Sequence, residues 1–217
     1  VHQHFKLVEV FSVLDNIILG AETTKLGFIK KKEARAKVVE LSNWMQCEGY
    51  KAIFEEARKQ YPDMKLYIHG GESLDASNEN LIDAYLLGVS RVGHGLNLYR
   101  YPDLHARFVK DEICLEVCPI SNQRLGYTSD VRSHPATEYL RTGMAIALCS
   151  DDATYMENET LTDDFFAAVV SWNLSLADLK QLGINSIMYS GLDDRQKFAS
   201  LREYNRIWNE FIDEIVS

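Results

Sequence analysis

Two histidines, a lone glutamate and a pair of adjacent aspartates punctuate this chain in the order His69-Gly-Gly-Glu72, Gly93-His94-Gly95 and Ser150-Asp151-Asp152. A further segment, Glu116-Val-Cys-Pro-Ile-Ser-Asn122, precedes the aspartates. Neutral imidazoles and carboxylates are zinc ligands, and bound zinc activates water to attack a ring carbon. Glu72, past two flexible glycines, can fold back beside the metal and pass a proton to a ring nitrogen without being a ligand. Asp151 and Asp152 follow the apolar run 145–149, and two carboxylates at a buried strand end repel unless a cation sits there.

Each motif also has a plainer reading. The first can be a loop with a surface glutamate, and His94 can be a satisfied core histidine. Glycines on both sides of His94 would let a substrate or a water approach it closely. Ser-Asp-Asp can cap a helix, but the residues after it do not begin one at once, which favours a metal or a substrate there. The Glu116–Asn122 segment reads as a strand end turned by Pro119 that shapes a pocket. Asp163-Asp164 and Asp193-Asp194 read as helix caps or solvated charge.

These residues need elements to hold them. From Lys65 a strand–helix rhythm sets in, with strands at 65–71, Arg91–His94, Glu112–Val117 and Met144–Ser150. Helices are predicted at 78–88, Asp103–Lys110, His134–Thr142, Leu161–Ser171, 175–190 and 195–216. Units of about 30 residues imply a parallel sheet with right-handed crossovers. Every candidate residue then falls at or just past a strand's C-terminal end, and in a closed parallel barrel those ends form one face. Upstream, residues 3–20 and 37–61 carry helical spacing and 21–37 reads as a loop.

At 217 residues, with 46% hydrophobic and 25% charged residues, the chain is expected to be one domain (1–217). A net charge of −9 argues against a nucleic-acid partner, and no apolar run suits a membrane span. Cys47, Cys114, Cys118 and Cys149 form no Cys-x-x-Cys clip and read as core thiols. The start at Val1, with no signal peptide, reads as a truncation.

Taken together, the motifs closely resemble the adenosine deaminase superfamily, whose pattern runs His-Ala-Gly-Glu, Gly-His-Gly, Glu-Val-Cys-Pro-x-Ser-Asn and Ser/Thr-Asp-Asp. The segments 120–123, 129–135, 161–166, 179–182 and 185–190 resemble its growth factor branch, and the likeness covers 65–217. It implies a TIM-type (β/α)8 barrel, α/β in class and here incomplete, since four strands cannot close eight. It also implies one zinc ion per complete site and the hydrolytic deamination of adenosine or 2′-deoxyadenosine. Residue by residue, His69 and Asp151 would bind zinc, Glu72 would protonate the purine N1, and His94 would orient and help deprotonate the attacking water. Asp152 would hydrogen-bond N7, with Gly71 also lining the substrate.

Gly70 and Ala153 stand where the family has Ala and Pro. The family's first strand adds a His-x-His ligand pair some two hundred residues before the His-Ala-Gly-Glu strand, whereas only 64 residues separate His4 from His69. His2-Gln3-His4 has the spacing that puts both imidazoles on one face of a strand. It can be the surviving pair or an incidental one, because the residues after it read as a helix. A purine nucleoside is the expected small-molecule partner. A homodimer and an extracellular location are expected from the branch alone. The rivals are a catalytically dead remnant acting by binding, and another purine deaminase acting on AMP or adenine.

Overall fold

The computed structural model describes residues 24–25, 28–29, 54, 56–57, 59–72, 78–152 and 161–217. His2 and His4, Cys47, the helix expected at 3–20, most of the one expected at 37–61 and residues 153–160 lie outside them. The chain divides into two compact units, Val1–Met64 and Lys65–Ser217. In the first, β1 (Thr24–Lys25) and β2 (Phe28–Ile29) pair antiparallel, so the stretch expected to be a loop contains a small hairpin. Residues 54, 56–57 and 59–60 are helical, within the helix expected there.

The second unit is a four-stranded parallel sheet in the order β3 (Tyr67–Gly70), β4 (Arg91–His94), β5 (Cys114–Val117) and β6 (Ile146–Leu148). Sequential strands lie side by side, and helices α1 (Asn80–Leu86), α2 (Pro102–Lys110) and α4 (Ala136–Arg141) fill the crossovers. Beyond β6 come α5 (Leu161–Trp172), α6 (Leu176–Met188) and α7 (Asp194–Val216). This is part of a (β/α)8-type barrel wall.

The register explains how one sheet serves both stability and chemistry. Ile68, Val92, Leu115 and Ile146 form one row across the four strands, and His69, Gly93, Glu116 and Ala147 form the next. Because successive side chains alternate, the two rows face opposite sides. Val92, Leu115 and Ile146 of the first row join Leu81, Phe108, Tyr139 and Leu182 in the buried apolar core, with Ile68 half-buried at its edge. On the face of the second row, Arg91, one row further back, and Glu116 form an ion pair between β4 and β5, with Arg91 also donating to the Tyr189 carbonyl at 3.4 Å.

Local chemistry sets the ends. Ser175 and Asp193 open α6 and α7 with reciprocal capping boxes, to Asp178 and Gln196, each satisfying two backbone donors. Asp193 thus caps a helix as expected. Pro102 begins α2 at a position where its missing N–H costs nothing. The turn expected at Pro119 continues into a short helix, α3 (Pro119–Arg124). Asp164 departs further: it is fully buried rather than solvated, and its Oδ1 accepts the Ile120 N–H at 3.2 Å, tying α5 to the start of α3. Burial raises its carboxyl to about 6.

Candidate active site

The ends of β3, β4, β5 and β6 carry the functional residues at a common rim. His69 stands near the end of β3, and its neighbour across the strand is Gly93. A Cβ on Gly93 would lie 2.9 Å from the His69 Nε2, inside van der Waals contact, so glycine there makes room for the imidazole. On the other side of His94, a Cβ on Gly95 would strike the Leu115 side chain at 2.6 Å. The two glycines therefore clear space for protein side chains.

His94 ends β4 with φ +67°, a left-handed turn that lifts its ring out of the strand alternation. It is buried, and its ring meets that of His69 edge to face with centroids 5.0 Å apart. Glu72 reaches back as its spacing suggested, placing Oε2 3.4 Å from His94 Nε2. His69, Glu72 and His94 each offer a ligand atom within 4.8 Å of the other two. Burial lowers the His94 pKa, outweighing the opposite pull of Glu72, so the imidazole is held neutral.

Asp151 follows β6, also with a positive φ of 56°. It joins His94 and Cys118 in an overlapping group with the same 4.8 Å spread. The buried Ser121 hydroxyl on α3 donates to Asp151 Oδ2 at 2.7 Å, which fixes one carboxylate oxygen. Asp152 is half-buried beside it. Gly71 turns the chain with both backbone groups engaged: its N–H donates to Asn80 Oδ1 at 2.9 Å and its carbonyl accepts from Asn97 N–H at 2.9 Å.

Of the residues singled out from sequence, His69, Glu72, His94 and Asp151 converge, with His94 common to both groups. Among the described residues, Ser150, Asp151 and Asp152 lie outside any helix. Ser121 and Cys118 were legible only as part of a pocket-shaping turn. Their roles needed the crossover that returns α3 to β6.

Two imidazoles and two carboxylates are the hard and borderline donors zinc takes. His94 Nδ1 is buried with no hydrogen-bond partner among the described residues, as expected of a site built around a further group. The residues present therefore fit a zinc ion.

The family model described as adenosine deaminase matches residues 40–205. The adenosine deaminase 2 of Dictyostelium discoideum is 39% identical over 181 residues, covering 78% of this chain and 33% of that protein. Among solved structures, an adenine deaminase from Arthrobacter aurescens superposes with TM-score 0.65 at 28% identity, over 72% of this chain and 47% of that one. An amidohydrolase from Burkhoderia ambifaria with bound Zn has the same TM-score at 22% identity, over 77% and 46%, and shares the fold. The chain spans about a third of the length of the curated relatives it matches. On these matches, and on motifs that converge at one rim, the chain belongs to the adenosine deaminase family, in its growth factor branch.

Proposed function

We propose that this chain carries the C-terminal part of a zinc-dependent site that converts adenosine or 2′-deoxyadenosine, with water, to inosine or 2′-deoxyinosine and ammonia. The observation that carries the reading is the placement of Glu72 Oε2 3.4 Å from the buried His94 Nε2, beside His69. One residue can donate a proton while its neighbour accepts one. His69 and Asp151 would hold the metal, which supplies Lewis-acid activation of water when bound.

The chain's own groups do the proton work. Glu72, in its acid form, donates to purine N1 and draws electron density from C6. Neutral His94 is ready to accept a proton from the attacking water and to orient it. Ser121 keeps one Asp151 oxygen occupied, so the other would be the one to hold a metal. Asp152 would hydrogen-bond purine N7. Gly71 would shape the floor beneath the base, since its N–H is already taken by Asn80.

The test is loss of purine absorbance with adenosine, AMP and adenine offered separately to the zinc-supplied chain. Adenosine should be consumed in preference. Glu72→Gln should lower kcat by about 10²- to 10⁴-fold with zinc content unchanged, the range for a lost general acid. Preference for AMP or adenine moves the assignment to another purine deaminase. A chain that binds adenosine without turnover is the family remnant instead.

A further inference from the structure

We propose that His94, Cys118 and Asp151 form a second, thiol-containing cation site that takes a borderline or soft divalent ion such as Zn²⁺, Co²⁺ or Cd²⁺. It overlaps the deaminase centre through His94 and Asp151 but does not depend on the deaminase reading.

Three observations converge on it. The first is proximity: one donor atom from each residue lies within 4.8 Å of the other two. Tetrahedral zinc places nitrogen, oxygen and sulfur donors about 3.3–3.7 Å apart, so closure needs shifts of about 1 Å. The second is the unsatisfied buried imidazole. His94 Nε2 faces Glu72, while Nδ1 has no partner among the described residues although the side chain is 97% buried. The third is the position of the thiol itself. Cys118 is 4% exposed, its Sγ lies 3.8 Å from the Glu116 carbonyl, and it shares a hydrogen bond with the Cys149 thiol, a partner it would have to give up to a metal.

The backbone prepares the geometry. Cys118 precedes Pro119, which disfavours a helical conformation there, and its φ and ψ of −118° and 78° keep the thiol at the end of β5. Across the rim, the positive φ of Asp151 turns its carboxylate back over β6. A thiol serving only as core filling needs neither an imidazole nor a carboxylate within 4.8 Å.

Sulfur, nitrogen and oxygen donors together favour Zn²⁺, Co²⁺ and Cd²⁺ over Mg²⁺ or Ca²⁺. On coordination the Cys118 S–H bond breaks, its proton leaves to solvent and the sulfur forms the bond to the metal, with no change of oxidation state. A cation held here would occupy His94 and compete with the catalytic metal for Asp151. The site would thus confer sensitivity to thiophilic metals on any activity those residues carry.

The experiment is titration of the whole chain with Co²⁺ under a non-thiol reductant, watching for the near-ultraviolet thiolate-to-cobalt charge-transfer band. The band should appear in the wild-type chain, disappear in Cys118→Ser, and persist in Cys149→Ser and His69→Ala. Cobalt affinity should fall at least about tenfold in Cys118→Ser. Zinc X-ray absorption on the unmodified chain gives a readout independent of variant folding, with a sulfur shell expected at about 2.3 Å. Cobalt or zinc binding without any sulfur signature overturns this proposal and leaves the deaminase reading intact. A band that survives Cys118→Ser, or vanishes in Cys149→Ser, overturns it as well. A sulfur signature in a chain inert towards adenosine supports it while removing the deaminase reading.

Discussion

Ser121 illustrates what a single hydroxyl does at this rim. Its hydrogen bond to Asp151 Oδ2 restrains a carboxylate that sits on a strained backbone and is otherwise open to solvent. Removing such a partner lets the ligand rotate, and losses of about 10- to 100-fold in metal affinity are usual for it. Ser121→Ala should therefore raise the zinc dissociation constant by that amount with little change in melting temperature. Equal zinc affinity in wild type and variant would show that Asp151 needs no support from α3. Histidine and carboxylate spacing was legible from sequence because those residue types carry their chemistry openly. Ser121 was legible only as part of a turn, since a serine has many uses and its partner lies 30 residues away.

The elements behind the rim hold a buried polar relay with its own pH dependence. The Ala136 N–H donates to His134 Nδ1 at 3.0 Å, so the proton of the neutral ring sits on Nε2, which donates to Asn122 Oδ1 at 3.1 Å. This ties the start of α4 to α3, with Trp172 of α5 packed on the imidazole. Burial pushes His134 down from its ordinary 6.5 to about 4. As pH falls below 6.5, the unfolded chain takes up a proton that the folded chain refuses. The relay's contribution is thus complete above pH 6.5 and is lost as the pH drops to about 4. The full change is worth about 3 kcal/mol. Urea unfolding of wild type and His134→Asn at pH 7 and pH 4.5 should show the steeper loss in wild type. Parallel pH slopes would assign the acid sensitivity to other groups. At this scale the sequence was a good guide: all four strands and α1, α2 and α4–α7 lie within or close to their expected ranges, because periodicity and caps act over neighbouring residues. The exceptions, α3 and the β1–β2 hairpin, are too short to show a period.

Across the molecule, the sheet is flanked by layers whose fit depends on single contacts. On β6, α6 packs through Leu182 and through Asn185, whose Nδ2 donates to the Ile146 carbonyl at 2.9 Å. Against α6 lies α7, where Gly183 admits the Tyr204 ring and the Tyr204 hydroxyl donates to the Lys180 carbonyl at 3.2 Å. A Cβ on Gly183 would come within 2.6 Å of Tyr204 Cζ. Alanine there should cost about 1–3 kcal/mol by overpacking, despite its better helix propensity. Chemical denaturation measures this, and in a Tyr204→Ala background the same change should cost little further. A stable Gly183→Ala single variant would mean that α7 can shift without penalty.

The amino-acid sequence by itself determined the alternation of strands and helices, the order of the motifs and their position at strand ends, since each depends on residues close in the chain. It also set the donor chemistry of His69, Glu72, His94 and Asp151. Only the tertiary structure decided that Gly93 makes room for an imidazole, that Ser121 braces Asp151, that Asp164 is buried as an anchor, and that Cys118 lies beside His94 and Asp151. Those facts arise from register between parallel strands and from crossovers that bring distant residues within ångströms, which no local pattern encodes.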